Sequence, residues 1–505
     1  MKNIYEAADE YSKLDQAYSK LDWAYYTTGY DFGCKEAYSK IVAFLSSDEN
    51  FDIVQKAYND SSLNTKQKRE SEIMYKTFEP FHLSKEVNEL SEDIEKLTNQ
   101  LSQILNNHRS KLNGEEISSV DIDEILSNCD DREKRKAAFL ARAQVNKPLV
   151  DGGFVELIKL RKEYAKKRGF KNFVEMRLSD DELTPEIFKS WTDDVHKILP
   201  KMNEVREKAA KKYLNDTVIN PWDEAYVSSK IAPSLNKKVD MTSFYTYIKN
   251  LFLKFGVDIS KFNLTYDIFS RANKSEWGYN FPIAAGKDSR ILANVKNQYR
   301  EYNVLLHETG HGVHSFLLNP DEVILNMGIS GIIEEGIANL FGNFVYEKIF
   351  YKDFFDETST AEEEFKNLKN YSKVNSLRTV DMILFDQGLY LNDNINSLED
   401  INDFAFKIHK DVLNEDRYAD EFPWGYRIHH TTHPIYLHNY LMGDVTCEML
   451  KKAFCKKYGC SSVEQKPLEF MTFLKDSAIN PSGFYKYTEL FRRISGEDFS
   501  LKFML

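Results

Sequence analysis

The chain has 505 residues, 42% of them hydrophobic, with 67 basic against 79 acidic side chains and a formal net charge of −12. This length suits about three domains or two large ones, and the apolar content suffices for packed cores. Gly (21) and Pro (12) fall well below the usual shares of about 7% and 5%, which excludes collagen-like, disordered and β-rich repeat chains.

The acidic balance argues against a nucleic-acid partner. The first residues, MKNIYEAADEYSK, contain no apolar h-region. No apolar run approaches the roughly 18 residues of a membrane span, so no membrane partner is expected. Cys34, Cys129, Cys447, Cys455 and Cys460 show neither CxxC nor zinc-finger spacing, so reduced thiols in a cytoplasmic protein are expected.

Along the chain, YSKLD occurs at 11–15 and again at 18–22. Tyr11, Leu14, Tyr18, Leu21 and Tyr25 then mark one helix face, and core packing is favoured over a ligand groove. Leu83, Val87, Leu90, Ile94, Leu97, Leu101 and Ile104 alternate four and three apart, which asks for a partner helix. The run is short, so a hairpin within the domain is favoured over dimerisation, and a monomer or weak homo-oligomer is expected. Helical patterns follow at 131–147, 153–168, 184–213 and 241–255, with a loop at 215–240 around Pro221 and Pro233. The clearest strand signal is 279–296, where GKDS supplies a turn between two extended runs. Beyond 303 the pattern is helical nearly to the end, so the class is mainly α with one small sheet.

Seven of the eleven histidines fall in two windows, 307–314 and 429–438. The first reads VLLHETGHGVH and contains HExxH as His307, Glu308 and His311. Positions i and i+4 of a helix share a face, so both imidazoles can reach one zinc ion, Zn2+, while Glu308 stands beside them as a general base for water. The apolar Val304–Leu306 in front implies a buried helix, where an unpaired carboxylate would be costly.

A catalytic zinc site needs a third protein ligand. The metzincin position holds Leu317, and the positions some twenty residues on hold Ser330 and Gly331. Glu322, Glu334, Glu335 and Glu347 are the downstream candidates. Glu335 shares its face with the small residues Ala338, Asn339 and Gly342, whereas Glu334 shares its face with Phe341 and Val345, so Glu335 is favoured. Asn339 is positioned to hydrogen-bond a ligand, and His314 suits packing or ligand support. The second window, GYRIHHTTHPIYLHNYLMG (425–443), supplies Tyr and His donors suited to a developing oxyanion.

HETGH, a glutamate 24 residues after the second histidine and a His…Pro-x-Tyr-x-x-x-Tyr segment resemble the thimet oligopeptidase and oligoendopeptidase F family. The angiotensin-converting enzyme family is more distantly similar. The motif resemblance spans approximately 275–445. It implies one zinc ion held by His307, His311 and Glu335, Glu308 as base, and His430, Tyr440 and Tyr436 as donors that hold substrate and stabilise the tetrahedral intermediate. It further implies that Ile291, Leu292, Ala293, Asn294 and Val295 form an edge strand pairing with substrate by β-augmentation. The implied architecture is a two-lobed helical body with a deep channel, its N-terminal lobe at 1–150 and its catalytic domain at 151–505. Short unfolded peptides are the implied partners and internal peptide bonds the target. The alternatives are a carboxypeptidase or carboxydipeptidase, with Arg427 as the cation for a terminal carboxylate, and an inactive peptide-binding protein. The chain departs from the family in Gly-Ile-Ala after Glu335 and in His438, where the family run has tyrosine; both bear on subsite preference.

Overall fold

The computed structural model describes residues 3–276 and 278–505, and these are mainly helical. Strands β1 (Ser110–Leu112) and β2 (Glu115–Ile117) form a hairpin, while β3 (Leu264–Phe269), β4 (Tyr279–Ala284) and β5 (Asp288–Val295) form a second sheet in the order β3-β5-β4. The chain divides into two compact units. One comprises Met1–Leu83, Leu235–Ser359 and Gly443–Phe499, the other Ser84–Ser234, Thr360–Met442 and Ser500–Leu505. The boundary expected at residue 150 differs from this division, because residues 1–83 and 84–150 pack in different units.

In the first unit the helix Ile4–Thr28 begins with a reciprocal Asn3–Glu6 capping box. Its Tyr11, Leu14 and Tyr18 pack against a core that includes Ile41, Phe44, Val54, Met74 and Phe78. A seven-residue spacing drifts by about 20° per heptad on a straight helix. By the last turn Tyr25 has therefore moved into solvent, and Tyr26 carries the contact instead. Its ring lies 5.4 Å from that of Tyr279 and 5.6 Å from that of Phe281, both on β4.

The sheet corrects one expectation. β5, which carries Ile291–Val295, is the central strand: β3 pairs with it in parallel and β4 antiparallel. Both of its hydrogen-bonding edges are occupied, and Ile291, Leu292 and Ala293 are fully buried. Ile291, Leu292, Ala293, Asn294 and Val295 therefore cannot add a substrate strand, and the sheet edges belong to β3 and β4. β4 is an interrupted edge. It contains Pro282, which has no N–H to donate, and its register against β5 shifts between Phe281 and Ala284.

In the second unit the heptad helix Lys85–Asn107 finds its partner in cis, on Phe154–Lys167. A methyl group added at Gly152 would stand 2.5 Å from Ile104 Cδ1, and one added at Gly153 would stand 3.0 Å from Leu97 Cδ1. The heptad leucines close against bare backbone there. A second cluster gathers Ile122, Leu126, Ala138, Phe139 and Trp222. The segment expected to be a loop at 215–240 holds a short helix, Glu224–Ile231. The helix Val380–Leu391 is buried almost all round, yet it carries two acids, Asp381 and Asp386.

Candidate active site

HExxH lies on the helix Tyr302–Leu317, and the helix Gly331–Gly342 packs beside it. Two glycines, one inside the motif and one just after it, set this packing. A Cβ on Gly310 would meet Phe341 Cβ at 3.1 Å and Ala338 Cα at 3.2 Å, while one on Gly312 would meet Leu264 Cδ2 on β3 at 2.7 Å. One bare position thus admits the neighbouring helix and the other admits the sheet. On the partner helix, a Cβ on Gly342 would lie 3.2 Å from both Asn303 O and His307 Cβ. Small residues do bring the helices together, as expected. Phe341, expected to hold a neighbour away, is accommodated by Gly310.

Ligand atoms of His307, His311 and Glu335 all lie within 4.8 Å of one another. The Glu335 carboxylate stands 3.6 Å from His307 Nε2 and 3.8 Å from His311 Nε2. Ligands of a tetrahedral zinc, with bonds of about 2.0–2.1 Å, lie about 3.3 Å apart, so a small contraction suffices. The donor set also fits a cation electrostatically. Burial pulls His307 down to about 4, against an opposing hydrogen bond to Asn339, and burial with nearby His307 and His314 pulls His311 down to about 3. Both imidazoles are therefore neutral and free to ligate. Burial, then repulsion from Glu335, pushes Glu308 up to about 8, and a divalent cation among these groups would favour the carboxylate again.

Glu308 is buried on the sheet side of the helix. A Cβ on Gly278, just ahead of β4, would lie 3.4 Å from its Oε1, and Asn280 of β4 donates to the Glu308 carbonyl at 3.4 Å. Glu334 faces elsewhere, 3.8 Å from His314 Nδ1. Burial and then Glu335 raise Glu334 to about 7. Behind the ligands, Asn339 hydrogen-bonds His307, and its amide nitrogen donates to Asp444 Oδ1 at 3.1 Å. Asp444 lies on the helix His438–Tyr458, and burial, then Glu448, lifts it to about 7. A sequence search for ligands passes over Asp444, because it sits outside both histidine windows. Gly336, the first residue of the Gly-Ile-Ala run after Glu335, packs its bare Cα against Thr446 of the same helix.

The residues expected in the second histidine window lie in the other unit. His430 is fully buried, with Nδ1 2.9 Å from Asp386 Oδ1. Tyr440 is half exposed, its hydroxyl 3.4 Å from His429 Nε2 and its ring 5.5 Å from that of Tyr436. Arg427 lies over the ring of its neighbour Tyr426. His438, expected to touch substrate, is instead a core residue. It is buried, its Nε2 is 3.1 Å from Asp181, and its ring stands edge-on to Phe188.

Comparison with known proteins bears on this arrangement. A model of peptidase family M3 matches residues 125–259, ahead of the HExxH helix. The mitochondrial intermediate peptidase of Arabidopsis thaliana is 23% identical over 470 residues, covering 77% of this chain and 64% of that protein. The chain is thus similar to peptidase family M3 over part of its length. The M3 match supports a metallopeptidase. The chain spans about 64% of the length of that curated relative. Among solved structures, PZ peptidase A with an inhibitor aligns with a TM-score of 0.69 at 17% identity, covering 98% of this chain and 90% of that one. The M32 carboxypeptidase of Deinococcus radiodurans R1 aligns at 0.67 and 13%, covering 99% and 96%, and the Pyrococcus furiosus carboxypeptidase at 0.66 and 14%, covering 100% and 98%. These likenesses establish that the chain has the helical fold of those structures.

Proposed function

We propose that the chain is a zinc-dependent oligopeptidase that hydrolyses internal bonds of short unfolded peptides. The observation that carries this reading is the convergence of His307, His311 and Glu335 beside the buried Glu308. Bound zinc would supply Lewis acidity toward a peptide carbonyl and toward water. Glu308 takes the proton from the attacking water and later delivers it to the departing amine. The Tyr440 hydroxyl donates to the oxyanion, and Tyr436 and His430 hold the substrate by hydrogen bonds. The edge that receives the substrate backbone is β4, since β5 is paired on both sides and Gly278, just ahead of β4, lies against Glu308. Arg427 is kept for a terminal carboxylate in the rival carboxypeptidase reading, which the named carboxypeptidases among the fold's neighbours make worth testing. Five free cysteines accord with a reducing, cytoplasmic setting.

The test uses two peptides, one N-acetylated with a free C-terminus and one C-amidated with a free N-terminus, each incubated with the purified chain, with a chelator, and with zinc restored. Internal cuts that vanish with chelator and return with zinc support the proposal. Cleavage restricted to free C-termini replaces it with the carboxypeptidase reading, and zinc binding without any cleavage replaces it with a peptide-binding protein.

A further inference from the structure

The acid Asp386 sits about one helical turn and a half beyond Asp381 on a buried, largely apolar helix, where an uncompensated carboxylate would be strongly unfavourable. Its two oxygens are both engaged within the same unit. Oδ1 lies 2.9 Å from His430 Nδ1, and Oδ2 accepts the Ile435 N–H at 2.6 Å. Ile435 has φ 58°, a left-handed conformation that a β-branched residue adopts only when its surroundings enforce it. Arg161 fixes the same segment from another side, donating to the Thr431 carbonyl at 2.5 Å and to the Tyr390 hydroxyl at 3.0 Å. His430 Nε2 has no hydrogen-bond partner among the described residues, although the ring is fully buried.

We infer that Asp386 is a positioning residue that holds His430 with its proton on Nδ1, so that the neutral ring presents a bare Nε2 as a hydrogen-bond acceptor. A carboxylate that already receives a backbone N–H has only acceptor capacity to offer the imidazole. The ring therefore commits its single N–H to Asp386, and the other nitrogen keeps a lone pair. An Nε2 with only a lone pair cannot donate to an oxyanion, so in the proposed reaction His430 can serve only as an acceptor from an N–H, and the oxyanion donor is left to Tyr440. This assignment of roles rests on the proposed peptidase reading; the proton position does not.

The test is ¹⁵N NMR of the histidine-labelled, zinc-loaded full chain at neutral pH, with the His430 signal identified by its loss in His430→Gln. A single proton on Nδ1 is expected. A proton on Nε2, or on both nitrogens, overturns the inference. In Asp386→Asn the amide can donate to Nδ1, so the proton is expected to move to Nε2, with kcat for peptide cleavage falling on the order of 10–100-fold and zinc content unchanged. An Nδ1 proton that persists in Asp386→Asn also overturns it. If His430→Gln cleaves peptides at the wild-type rate, the substrate contact is lost as an idea, while the NMR result still judges Asp386.

Discussion

Replacing Gly336 with alanine tests whether the spacing of two helices sets the metal site. The added methyl would stand 2.5 Å from Thr446 Cγ2 and 2.7 Å from Thr446 Cβ. Carbon contacts become comfortable near about 3.5 Å, so the helix Gly331–Gly342 must retreat by about 0.8–1 Å. Thr446 is buried and hydrogen-bonded to the Tyr487 hydroxyl at 3.0 Å, so it has little room to yield. Overpacking of this kind costs about 1–3 kcal/mol. Glu335 is the adjacent residue, and its present separations of 3.6 and 3.8 Å from the imidazoles already exceed the about 3.3 Å of a closed tetrahedral site. Zinc affinity is expected to fall about 10–100-fold, or ~1.4–2.7 kcal/mol. Competition against a chromophoric chelator measures it, with thermal unfolding of the metal-free protein reporting the packing cost separately. Thr446→Gly in the same chain removes both clashing atoms and is expected to recover most of the affinity. A folded Gly336→Ala protein that binds zinc within twofold of wild type would refute the link between helix spacing and ligand placement.

Glu308→Gln is expected to keep zinc stoichiometry while cleavage falls by about 10²–10⁴; loss of metal along with activity, read by elemental analysis, would count against the base role. Tyr440→Phe is expected to lower kcat by about 10²–10³ with little change in KM, and a near-normal kcat in steady-state assays would remove that hydroxyl from the mechanism. Burial depresses His409, but hydrogen bonds with Asp381 and Glu415 outweigh it and raise the imidazole to about 9. A raised folded-state pKa stabilises fully below the unfolded value of about 6.5, and the contribution is lost as pH climbs through about 9. Its ceiling is about 3 kcal/mol. Urea unfolding of wild type and His409→Gln should therefore differ most at pH 6 and converge by pH 10; a constant difference would contradict the linkage.

The metal motif was legible because its spacing is local: His307, Glu308 and His311 share one helix, and helical geometry alone puts the two histidines on one face. Glu335 was legible through small residues on its face, although Gly310 makes room for Phe341 and weakens half of that argument. Asp444 and Asp386 were not legible as functional supports. Each acts through a contact across more than forty positions of sequence, with Asn339 and His430 respectively. Asp386 did leave a trace, an acid in the apolar run VDMILFDQGLYL. The strand order was hidden for a related reason. The turn around GKDS announces β4 and β5, but parallel pairing of β3 needs no hairpin turn. The central place of β5 therefore cannot be read from the segment that contains it.

An open sheet edge invites any extended chain, including another copy of the same protein. β4 offers such an edge, but Pro282 removes one donor and the register shift after Phe281 breaks the repeat of the others. A ladder started at Tyr279 cannot be continued strand-length along this edge. The same interruption, Pro282 together with the register shift after Phe281, that limits how much of an incoming chain can pair along this edge also disfavours sheet-to-sheet stacking of these molecules.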